Sequence, residues 1–292
     1  MTEFAAKNVV ITGAANGIGR LLAEKLAGQS AHVILWDVDG ARLKELTERL
    51  RKRGARVTSY QCDVTKRAAV YATAQRVLEK HGSVEILINN AGVVTGKVLL
   101  EMSDEEIEQT FQVNTLAHFW TTRAFLPKML ERNRGHIVTI ASAAGLVGAP
   151  HLTDYSAAKF AAVGFDESLR LELKHMGADV KTTLVCPYYV GTGMFAGATT
   201  RFPWLLPILE PEYVANRIIE AIRWNRERMI MPRFVFLVPL FRLLPVRWFD
   251  ALARFFGVTR GMDGFSGRSA LRTPIETRSI VAGESEVVDR SQ

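Results

Sequence analysis

Three residues of this 292-residue chain have the types and spacing for moving a proton to or from an alcohol: Ser142, Tyr155 and Lys159. Tyr155 and Lys159 stand four positions apart in a segment predicted to be helical, so they share one helix face. A free phenol, with a pKa of about 10, is a poor base at neutral pH, and a neighbouring ammonium together with the cationic ring of a nicotinamide cofactor favours the phenolate. Such a tyrosine can take the alcohol proton or return it, while Ser142 holds the substrate oxygen. The alternative for the Tyr–Lys pair by itself is an ordinary surface pair.

A glycine-rich loop follows the first apolar run of the chain. Its glycines let the backbone turn tightly and approach a pyrophosphate, and the helix that begins there offers free N–H groups and a positive dipole end. A plain strand–helix turn uses the same residues, but the position at the first strand–helix junction favours a nucleotide. The candidate cofactor-binding residues of this loop are Gly13, Asn16, Gly17, Ile18 and Gly19.

The second apolar run ends in Asp37, eighteen residues after Gly19. A carboxylate at this place can accept hydrogen bonds from both hydroxyls of an adenosine ribose, and it would repel the 2′-phosphate of NADP. No Arg or Lys occupies position 16 or 37, although Arg20 and Arg42 are nearby. The sequence therefore predicts NAD rather than NADP. The alternative for Asp37 is a cap for the next helix.

Later strands end in residues that can complete a dinucleotide site. After the third strand, the Asp63 carboxylate can bind the adenine amino group and the Val64 amide a ring nitrogen, with an Asx turn or helix cap as the alternative. The fourth strand ends in a polar amide and small residues, which can brace the sheet edge and let the cofactor pass, or form a turn. These residues are Asn90, Ala91 and Gly92.

The nicotinamide end has its own candidates. The sixth strand ends at Pro187, and backbone groups near Val190 together with the Thr192 hydroxyl can meet a carboxamide, the alternative being a plain loop. Lys159 can also reach the ribose hydroxyls beside the nicotinamide. Asn114 stands mid-helix among apolar neighbours, where a buried side chain could hold a water in a proton path to Lys159, although mid-helix Asn more often faces solvent.

The elements that position these residues alternate between apolar strands and helices. The strand runs are 8–12, 32–37, 56–62, 85–89, 136–140 and 180–186. This pattern predicts an α/β fold with a doubly wound parallel sheet, whose ligands bind at the carboxyl ends of the strands. We expect a single domain over 1–267, with 194–260 as a C-terminal helical extension that covers the substrate. Residues 268–292, rich in Ser, Glu, Arg and Thr, are expected to be a mobile tail.

Charge and cysteine usage narrow the function class. The net charge is +7, and nine arginines stand between Tyr213 and Arg260. These arginines do not belong to any nucleic-acid-binding motif, so we expect no nucleic-acid partner. The two cysteines, Cys62 and Cys186, have no metal-type spacing and fit a reducing compartment. The sequence therefore predicts no metal and a cytoplasmic location.

Two segments near the C-terminus, 201–209 and 233–249, are strongly apolar. Pro239 and Pro245 exclude one long helix, and the chain has neither a run of 18 apolar residues nor a signal peptide. Short apolar helices with Arg and Trp suit the surface of a membrane or lipid droplet. We therefore expect 202–256 to close over the substrate and rest on such a surface. A dimer contact or a simple pocket wall is the alternative.

Taken in order, these residues resemble the short-chain dehydrogenase/reductase family over about 7–193, and more loosely to about 267. The resemblance implies a Rossmann-type fold, a bound nicotinamide dinucleotide and hydride transfer between it and an alcohol or ketone. It also implies a catalytic tetrad of Asn114, Ser142, Tyr155 and Lys159, of which Tyr155 and Lys159 also contact the cofactor.

The segments 33–37, 114–122, 135–145 and 159–165 resemble one branch of that family, the retinol dehydrogenases and the lipid-droplet 17-beta-hydroxysteroid dehydrogenases of types eleven and thirteen. This resemblance implies an apolar substrate (a steroid, retinoid or long-chain alcohol), and the family implies a homodimer or homotetramer. Two features depart from the pattern: the first strand begins almost at once, without the apolar anchor usual in the branch, and Tyr188 follows Pro187 where Gly is frequent in the family. The alternatives are a ketoacyl reductase, which usually takes NADP, and a lipid-surface protein with vestigial activity.

Overall fold

Seven parallel strands form one sheet in the computed structural model, which describes residues 1–267. The strands are β1 (Asn8–Thr12), β2 (His32–Asp37), β3 (Val57–Gln61), β4 (Ile86–Asn89), β5 (Gly135–Ile140), β6 (Val180–Pro187) and β7 (Arg228–Met231). Their order is β3-β2-β1-β4-β5-β6-β7, and every neighbouring pair is parallel. The order reverses between β1 and β4, which confirms the predicted doubly wound sheet of Rossmann type. The tail predicted at 268–292 lies outside the described residues.

Helices cover both faces of this sheet because its strands are apolar on both faces. The helices are α1 (Gly17–Ala27), α2 (Gly40–Lys52), α3 (Arg67–His81), α4 (Asp104–Phe111), α5 (Ala117–Glu131), α6 (Thr153–His175), α7 (Pro211–Arg223), α8 (Val238–Phe241) and α9 (Val246–Phe255). Val9 and Ile11 of β1 pack with α1, α2 and α7, whereas Val10 between them packs with α3, α5 and α6. The alternation of side chains along a strand thus joins the sheet to two separate apolar layers.

The segment 104–131, which the sequence predicts as one helix, consists of two α-helices joined by a π-helical turn at Gln112–Leu116. Helix α4 begins with a capping box, in which the Ser103 hydroxyl accepts a bond from the Glu106 amide and the Glu106 carboxylate accepts one from the Ser103 amide. A π turn inserts one residue into the helix, and such turns are frequent at functional sites. This turn contains Asn114.

The structure differs from the predicted extension over 194–260, because the middle of that range belongs to the sheet domain. Strand β7 pairs with β6, and Ile218 and Ile222 of α7 pack in the apolar layer that also contains α1. The sequence analysis did not predict β7, because a strand of only four residues gives little periodic signal. The part that lies beyond the sheet is 233–258, a 3-10 turn followed by α8 and α9, here named the C-terminal segment.

Within residues 1–267, no helix combines the length and the apolar character needed to cross a membrane. The longest helix, α6, has 23 residues, and it carries charged side chains at its first turn and along its length. Helices α8 and α9 are short, with four and ten residues.

Candidate active site

A cavity of about 570 Å³ opens at the carboxyl ends of the strands, where a doubly wound sheet binds its ligands. Most of the residues predicted for the site line it together. They are Gly13, Asn16, Gly17, Ile18, Asp37, Asp63, Val64, Asn90, Ala91, Gly92, Ser142, Tyr155, Lys159, Pro187, Val190 and Thr192. Gly19 and Asn114 do not line this cavity and act through its walls, as described below.

The glycine loop has the geometry of a phosphate cradle. Gly13 and Gly17 have φ angles of 64° and 52°, which side chains rarely adopt. A Cβ on Gly19 would lie 2.1 Å from the carbonyl oxygen of Gly13, so Gly19 lets α1 begin directly against the loop. The helix cap, Asn16, makes no side-chain bond to the first-turn amides of α1, and these N–H groups therefore remain for a phosphate.

Asn90 fixes the same loop from the neighbouring strand. Its side-chain amide donates to the carbonyl oxygens of Thr12 at 2.9 Å and of Gly13 at 3.1 Å. The Thr12 hydroxyl in turn accepts bonds from the backbone amides of Asn90 and Ala91, at 3.0 and 3.1 Å. The ends of β1 and β4 are thereby joined at the point where the strand order reverses, which is the bracing role predicted for this amide.

Asp37 is held by the backbone rather than by a cation. One carboxylate oxygen accepts the Ala15 amide at 2.8 Å and the other accepts the Asp39 amide at 3.0 Å. The alternative role as a helix cap is wrong for Asp37, because the side chain that caps α2 is that of Asp39, which accepts from the Arg42 amide. Two backbone bonds leave the Asp37 carboxylate in a fixed position on the cavity wall, where a ribose can bind.

Asp63 forms the Asx turn that the sequence offered as an alternative, and its adenine-binding role stays a prediction. Its Oδ1 accepts both the amide and the hydroxyl of Thr65, at 2.9 and 2.7 Å, which is an Asx turn. Asp63 and Val64 nevertheless line the cavity on the β3 side. Because both bonds end on Oδ1, the turn orients the carboxyl group without using its second oxygen.

At the other end of the cavity, Ser142, Tyr155 and Lys159 converge from β5 and α6. The Ser142 hydroxyl accepts the Ala144 amide at 3.1 Å and donates to the Pro187 carbonyl at 3.4 Å. The Lys159 ammonium donates to the Ile140 carbonyl at 2.9 Å and lies 5.7 Å from the centre of the Tyr155 ring. All three side chains are buried. The arrangement places a hydroxyl, a phenol and an ammonium around one point of the wall.

In the protein by itself, the pKa of Tyr155 lies above its ordinary value. Burial raises it to about 12, although a bond with Ser142 opposes the shift. Burial also lowers the pKa of Lys159 to about 8, because the ammonium loses its hydration. The protein alone therefore keeps Tyr155 as a neutral phenol, the form that donates a proton, and a further positive charge is needed to favour phenolate.

Asn114 is fully buried inside the π turn, and its side chain holds a loop. Its Oδ1 accepts the Val93 amide at 2.9 Å, and its Nδ2 donates to the Val93 carbonyl at 2.8 Å. A Cβ on Gly92 would lie 3.2 Å from the Asn114 Oδ1 and 3.8 Å from the Lys159 Nζ, so this clamp borders the lysine. The predicted role of holding a water in a path to Lys159 stays a prediction.

The loop after β6 borders the cavity where the sequence predicts the nicotinamide. Val190 forms a parallel bridge with Leu209, and the Gly191 amide donates to the Leu209 carbonyl at 3.0 Å. The Thr192 amide bonds the Val190 carbonyl at 2.7 Å, which keeps Thr192 at the cavity wall. The predicted backbone groups are thus held in a short, fixed stretch that starts at Pro187.

Three residues that sequence reasoning did not identify also shape the site. Asp154 accepts the hydroxyls of Thr95 and Thr110 at 2.9 and 2.7 Å, and so fixes the start of α6 just before Tyr155. The Phe195 ring lies 5.6 Å from that of Tyr155. His118 is buried one turn after Asn114. Its pKa falls to about 3, mainly because of burial and secondly because of the positive charge of Lys159. The sequence signal for His118 was its place at i+4 from Asn114.

No group of three or more His, Cys, Asp or Glu within residues 1–267 has the geometry to hold a metal ion. Cys62 and Cys186 are both buried and free. Burial raises the pKa of the Cys186 thiol to about 12, so this sulfur is an inert neighbour of Lys159 and Ser142.

Comparison with known proteins agrees with this geometry. A sequence model of the family described as short chain dehydrogenase matches residues 7–201. Epidermal retinol dehydrogenase 2 of Mus musculus is 46% identical over 267 residues, which are 90% of this chain and 86% of that protein.

Two solved structures share the fold. A short-chain dehydrogenase/reductase from Burkholderia phymatum in complex with NAD has a TM-score of 0.75 and 32% identity, covering 91% of this chain and all of that one. A metagenomic short-chain oxidoreductase in complex with NADP has a TM-score of 0.66 and 29% identity, covering 78% and 97%. The glycine loop, the Asp37 carboxylate and the cluster of Ser142, Tyr155 and Lys159 agree with these similarities. This chain belongs to the short-chain dehydrogenase/reductase family.

Proposed function

We propose that this protein transfers a hydride between NAD(H) and an apolar alcohol or its carbonyl product. The observation that carries the proposal is the shared cavity, which has a phosphate cradle and a ribose-binding carboxylate at one end and Ser142, Tyr155 and Lys159 at the other. A dinucleotide that spans these ends would lie with its nicotinamide beside the proton-transfer residues.

The protein's own groups account for the proton. The Ser142 hydroxyl bonds the substrate oxygen and orients it toward Tyr155. In reduction, the neutral Tyr155 phenol donates its proton to the developing alkoxide; in oxidation, the same oxygen takes the proton from the alcohol. The Lys159 ammonium, held by the Ile140 carbonyl, stabilises the phenolate. When bound, the nicotinamide dinucleotide supplies the hydride acceptor or donor and, in its oxidised form, a positive charge near the phenol.

Asp37 supports a preference for NAD over NADP. Its carboxylate is fixed by two backbone amides and cannot turn away from a 2′-phosphate, which it would repel. The nearby Arg42 is engaged by Asn16 at 2.9 Å and lies 3.5 Å from Asp39, so its charge is partly compensated. We expect a higher kcat/KM with NAD than with NADP, and we expect Asp37→Ala to reduce this difference. A clear preference of the wild-type protein for NADP would remove this assignment.

The substrate class follows from the site's neighbours and from the relatives. Aromatic and aliphatic side chains, Tyr188, Met194 and Phe195 among them, line the wall near Tyr155. The similarity to epidermal retinol dehydrogenase 2 supports a retinoid or a related apolar alcohol. The deciding experiment compares retinol, hydroxysteroids and alkanols with NAD in one assay. Turnover of acyl-carrier ketones with NADPH, and of none of these alcohols, would support the ketoacyl reductase alternative instead.

The C-terminal segment supports a contact with a membrane or lipid surface. Leu243, Val246 and Trp248 expose 81%, 73% and 69% of their surface, which is a high cost for side chains left in water. Arg247 and Arg254 are exposed on the same short helix, where guanidinium groups can meet anionic headgroups. We expect the protein to float with anionic vesicles at low salt, and less at high salt. A protein that stays unbound at both would favour the dimer contact.

The oligomeric state and the location of the protein stay predictions. Leu116 and Phe119, near the π turn, each expose 40% of their surface and suit a homodimer or homotetramer packed around these helices. The two free, buried cysteines fit a reducing compartment such as the cytoplasm. Size measurement by light scattering on the purified protein distinguishes dimer from tetramer, and a monomer would contradict both.

A further inference from the structure

Two small cavities, lined mainly by apolar side chains, lie against Ala143 and Val147 in the stretch that follows β5. The first, of about 40 Å³, is bordered by Ser142 and Tyr155. The second, of about 60 Å³, lies between the sheet domain and the C-terminal segment. Its lining is apolar apart from the tyrosine ring that it shares with the first cavity. The second cavity is lined in part by Leu206, Phe234, Val238, Phe241, Phe249, Leu252, Ala253 and Phe256.

The two cavities share a wall. Ala143, Val147, Tyr188 and Val258 border both, and Tyr188 also borders the cofactor cavity. The backbone of Tyr188 is fixed, because its amide donates to the Met231 carbonyl at 2.8 Å, whereas its side chain is only half-buried. The partition between the cavities is therefore a few side chains rather than a strand or a helix.

Protein interiors are close-packed, and voids larger than a water molecule are few and cost stability. A cavity lined only by apolar groups stays dry and can take up an apolar ligand. The second, outer cavity thus provides space that an apolar group fills favourably, and the first, inner cavity lies between it and the catalytic hydroxyls.

Helix α9 explains why the outer cavity exists. Phe249, Leu252, Ala253 and Phe256 recur at helical spacing and face the cavity, while Trp248 and Phe255 on the outer side expose 69% and 52% of their surface. A helix with apolar side chains on both sides packs inward on one face and presents the other to its surroundings. The outer cavity is therefore separated from that exposed face by a single helix.

We propose that the apolar tail of the substrate runs from Ser142 and Tyr155, past Tyr188, into the cavity beneath α9. The proposal rests on the alcohol oxidation proposed above and adds where the distant end of the substrate binds. It assigns α9 as the element that limits tail length, with Ala253 as the position that leaves room for it. An extended aliphatic or isoprenoid chain fits this line of cavities, whereas a compact alcohol would use only the inner one.

The test measures kcat and KM with NAD for the n-alkanols from 1-butanol to 1-decanol. Each methylene group that enters the cavities should raise kcat/KM about fourfold. Ala253→Leu fills the outer cavity, so we expect KM for 1-decanol to rise about tenfold while 1-butanol is oxidised as before. Ala251→Leu makes the same change on the exposed side of α9 and is the matched control. The smaller Ala253→Val should give an intermediate effect.

A folded Ala253→Leu protein with the wild-type chain-length profile would overturn the proposal, and so would an equal change in Ala251→Leu. Thermal unfolding shows whether each variant is folded; if Ala253→Leu is not, Ala253→Val decides. If no alkanol of any length is oxidised, the proposed function fails. The tail site is then tested by binding alone. In that test, 1-decanol should raise the Tm of the wild type more than the Tm of whichever Ala253 variant folds. An equal rise would reject the site.

Discussion

The nucleotide end of the cavity and the C-terminal segment are built by different means. At the nucleotide end, backbone groups and glycines do the positioning: the Asp37 carboxylate rests on two amides, and Gly19 brings α1 against the Gly13 carbonyl. In the C-terminal segment, aromatic rings contact each other, as Phe234 and Phe256 do at 4.8 Å, and line the outer cavity against the sheet domain.

We therefore expect the two regions to differ in how well they tolerate substitutions. A position fixed by backbone contacts has no room for an extra atom, so a methyl group there acts on the whole site. A wall made of side chains can be reshaped one residue at a time, with effects confined to the ligand that fills the space. The first region should therefore respond to substitution by losing cofactor or stability, and the second by changing which substrate binds.

The largest effect is expected at the boundary between the two regions, at Tyr155. Tyr155→Phe keeps the ring that packs on Phe195 and removes only the hydroxyl. Turnover should fall by roughly 10²- to 10⁴-fold, the usual scale for general acid–base catalysis, while NADH binding measured by fluorescence is retained. Turnover within a few-fold of wild type would remove Tyr155 as the proton carrier.

Gly19→Ala tests the tightness of the nucleotide end. The added Cβ would lie 2.1 Å from the Gly13 oxygen and 2.5 Å from the Asn90 amide, so the loop must shift. We expect a loss of about 1–3 kcal/mol in the free energy of unfolding and weaker NAD binding. Gly164→Ala on α6 is the control, because a Cβ added there would meet no neighbouring atom within 4 Å. This substitution should be neutral or stabilising. Similar effects of both would contradict the comparison.

Acid should destabilise the sheet domain but leave the C-terminal segment unaffected directly, because that segment contains no histidine. Burial lowers the pKa of His118 and of His136 to about 3 each. The unfolded chain binds these protons below about pH 6.5 and the folded protein does not, so stability falls as the pH drops from there toward 3. Each histidine contributes about 1.4 kcal/mol per pH unit.

Denaturant unfolding at pH 7, 6 and 5 measures this loss, and His118→Gln should make the pH dependence shallower. The wild-type slope contains contributions from other groups, so the difference between the two slopes is the decisive quantity. Parallel slopes would show that His118 is not held neutral.

The smallest effect on stability is expected from Leu243→Ser in the C-terminal segment. Leu243 is 81% exposed, so the free energy of unfolding should change by no more than about 0.5 kcal/mol. Binding to anionic vesicles should nevertheless weaken about tenfold if the side chain enters lipid. Leu100→Ser, at a leucine that is 97% exposed elsewhere, is the matched control. Equal vesicle binding by both variants would contradict the proposed surface.

The sequence predicted the nucleotide end well because its determinants are local. Glycines at a strand–helix junction and an acid at the end of the second strand imply their contacts from spacing alone. Strand β7 and the π turn around Asn114 were missed, because a four-residue strand and one inserted helical residue leave almost no periodic signal. The role of Asp154, which depends on hydroxyls 59 and 44 residues away, is a tertiary contact that spacing does not encode.

The effect of burial on the Tyr155 pKa was not predicted, for a similar reason. The sequence places an ammonium one turn away, but it does not show how deeply both groups are buried or that Lys159 bonds the Ile140 carbonyl. Charge proximity can be predicted from i and i+4 spacing, whereas desolvation depends on the whole fold. The C-terminal segment was recognised as apolar, yet the inward and outward faces of α9 became distinguishable only from its packing.

The stretch from Pro187 to Thr192 borders both the proposed cofactor site and the proposed substrate site, with different residues at each. Val190 and Thr192 border the cofactor cavity on a backbone pinned to Leu209, whereas the Tyr188 side chain stands at the partition between the apolar cavities. Mutation at 188 can therefore alter the accepted substrate without disturbing the backbone at 190. Such an arrangement lets substrate range diverge between related genes while cofactor use is inherited unchanged.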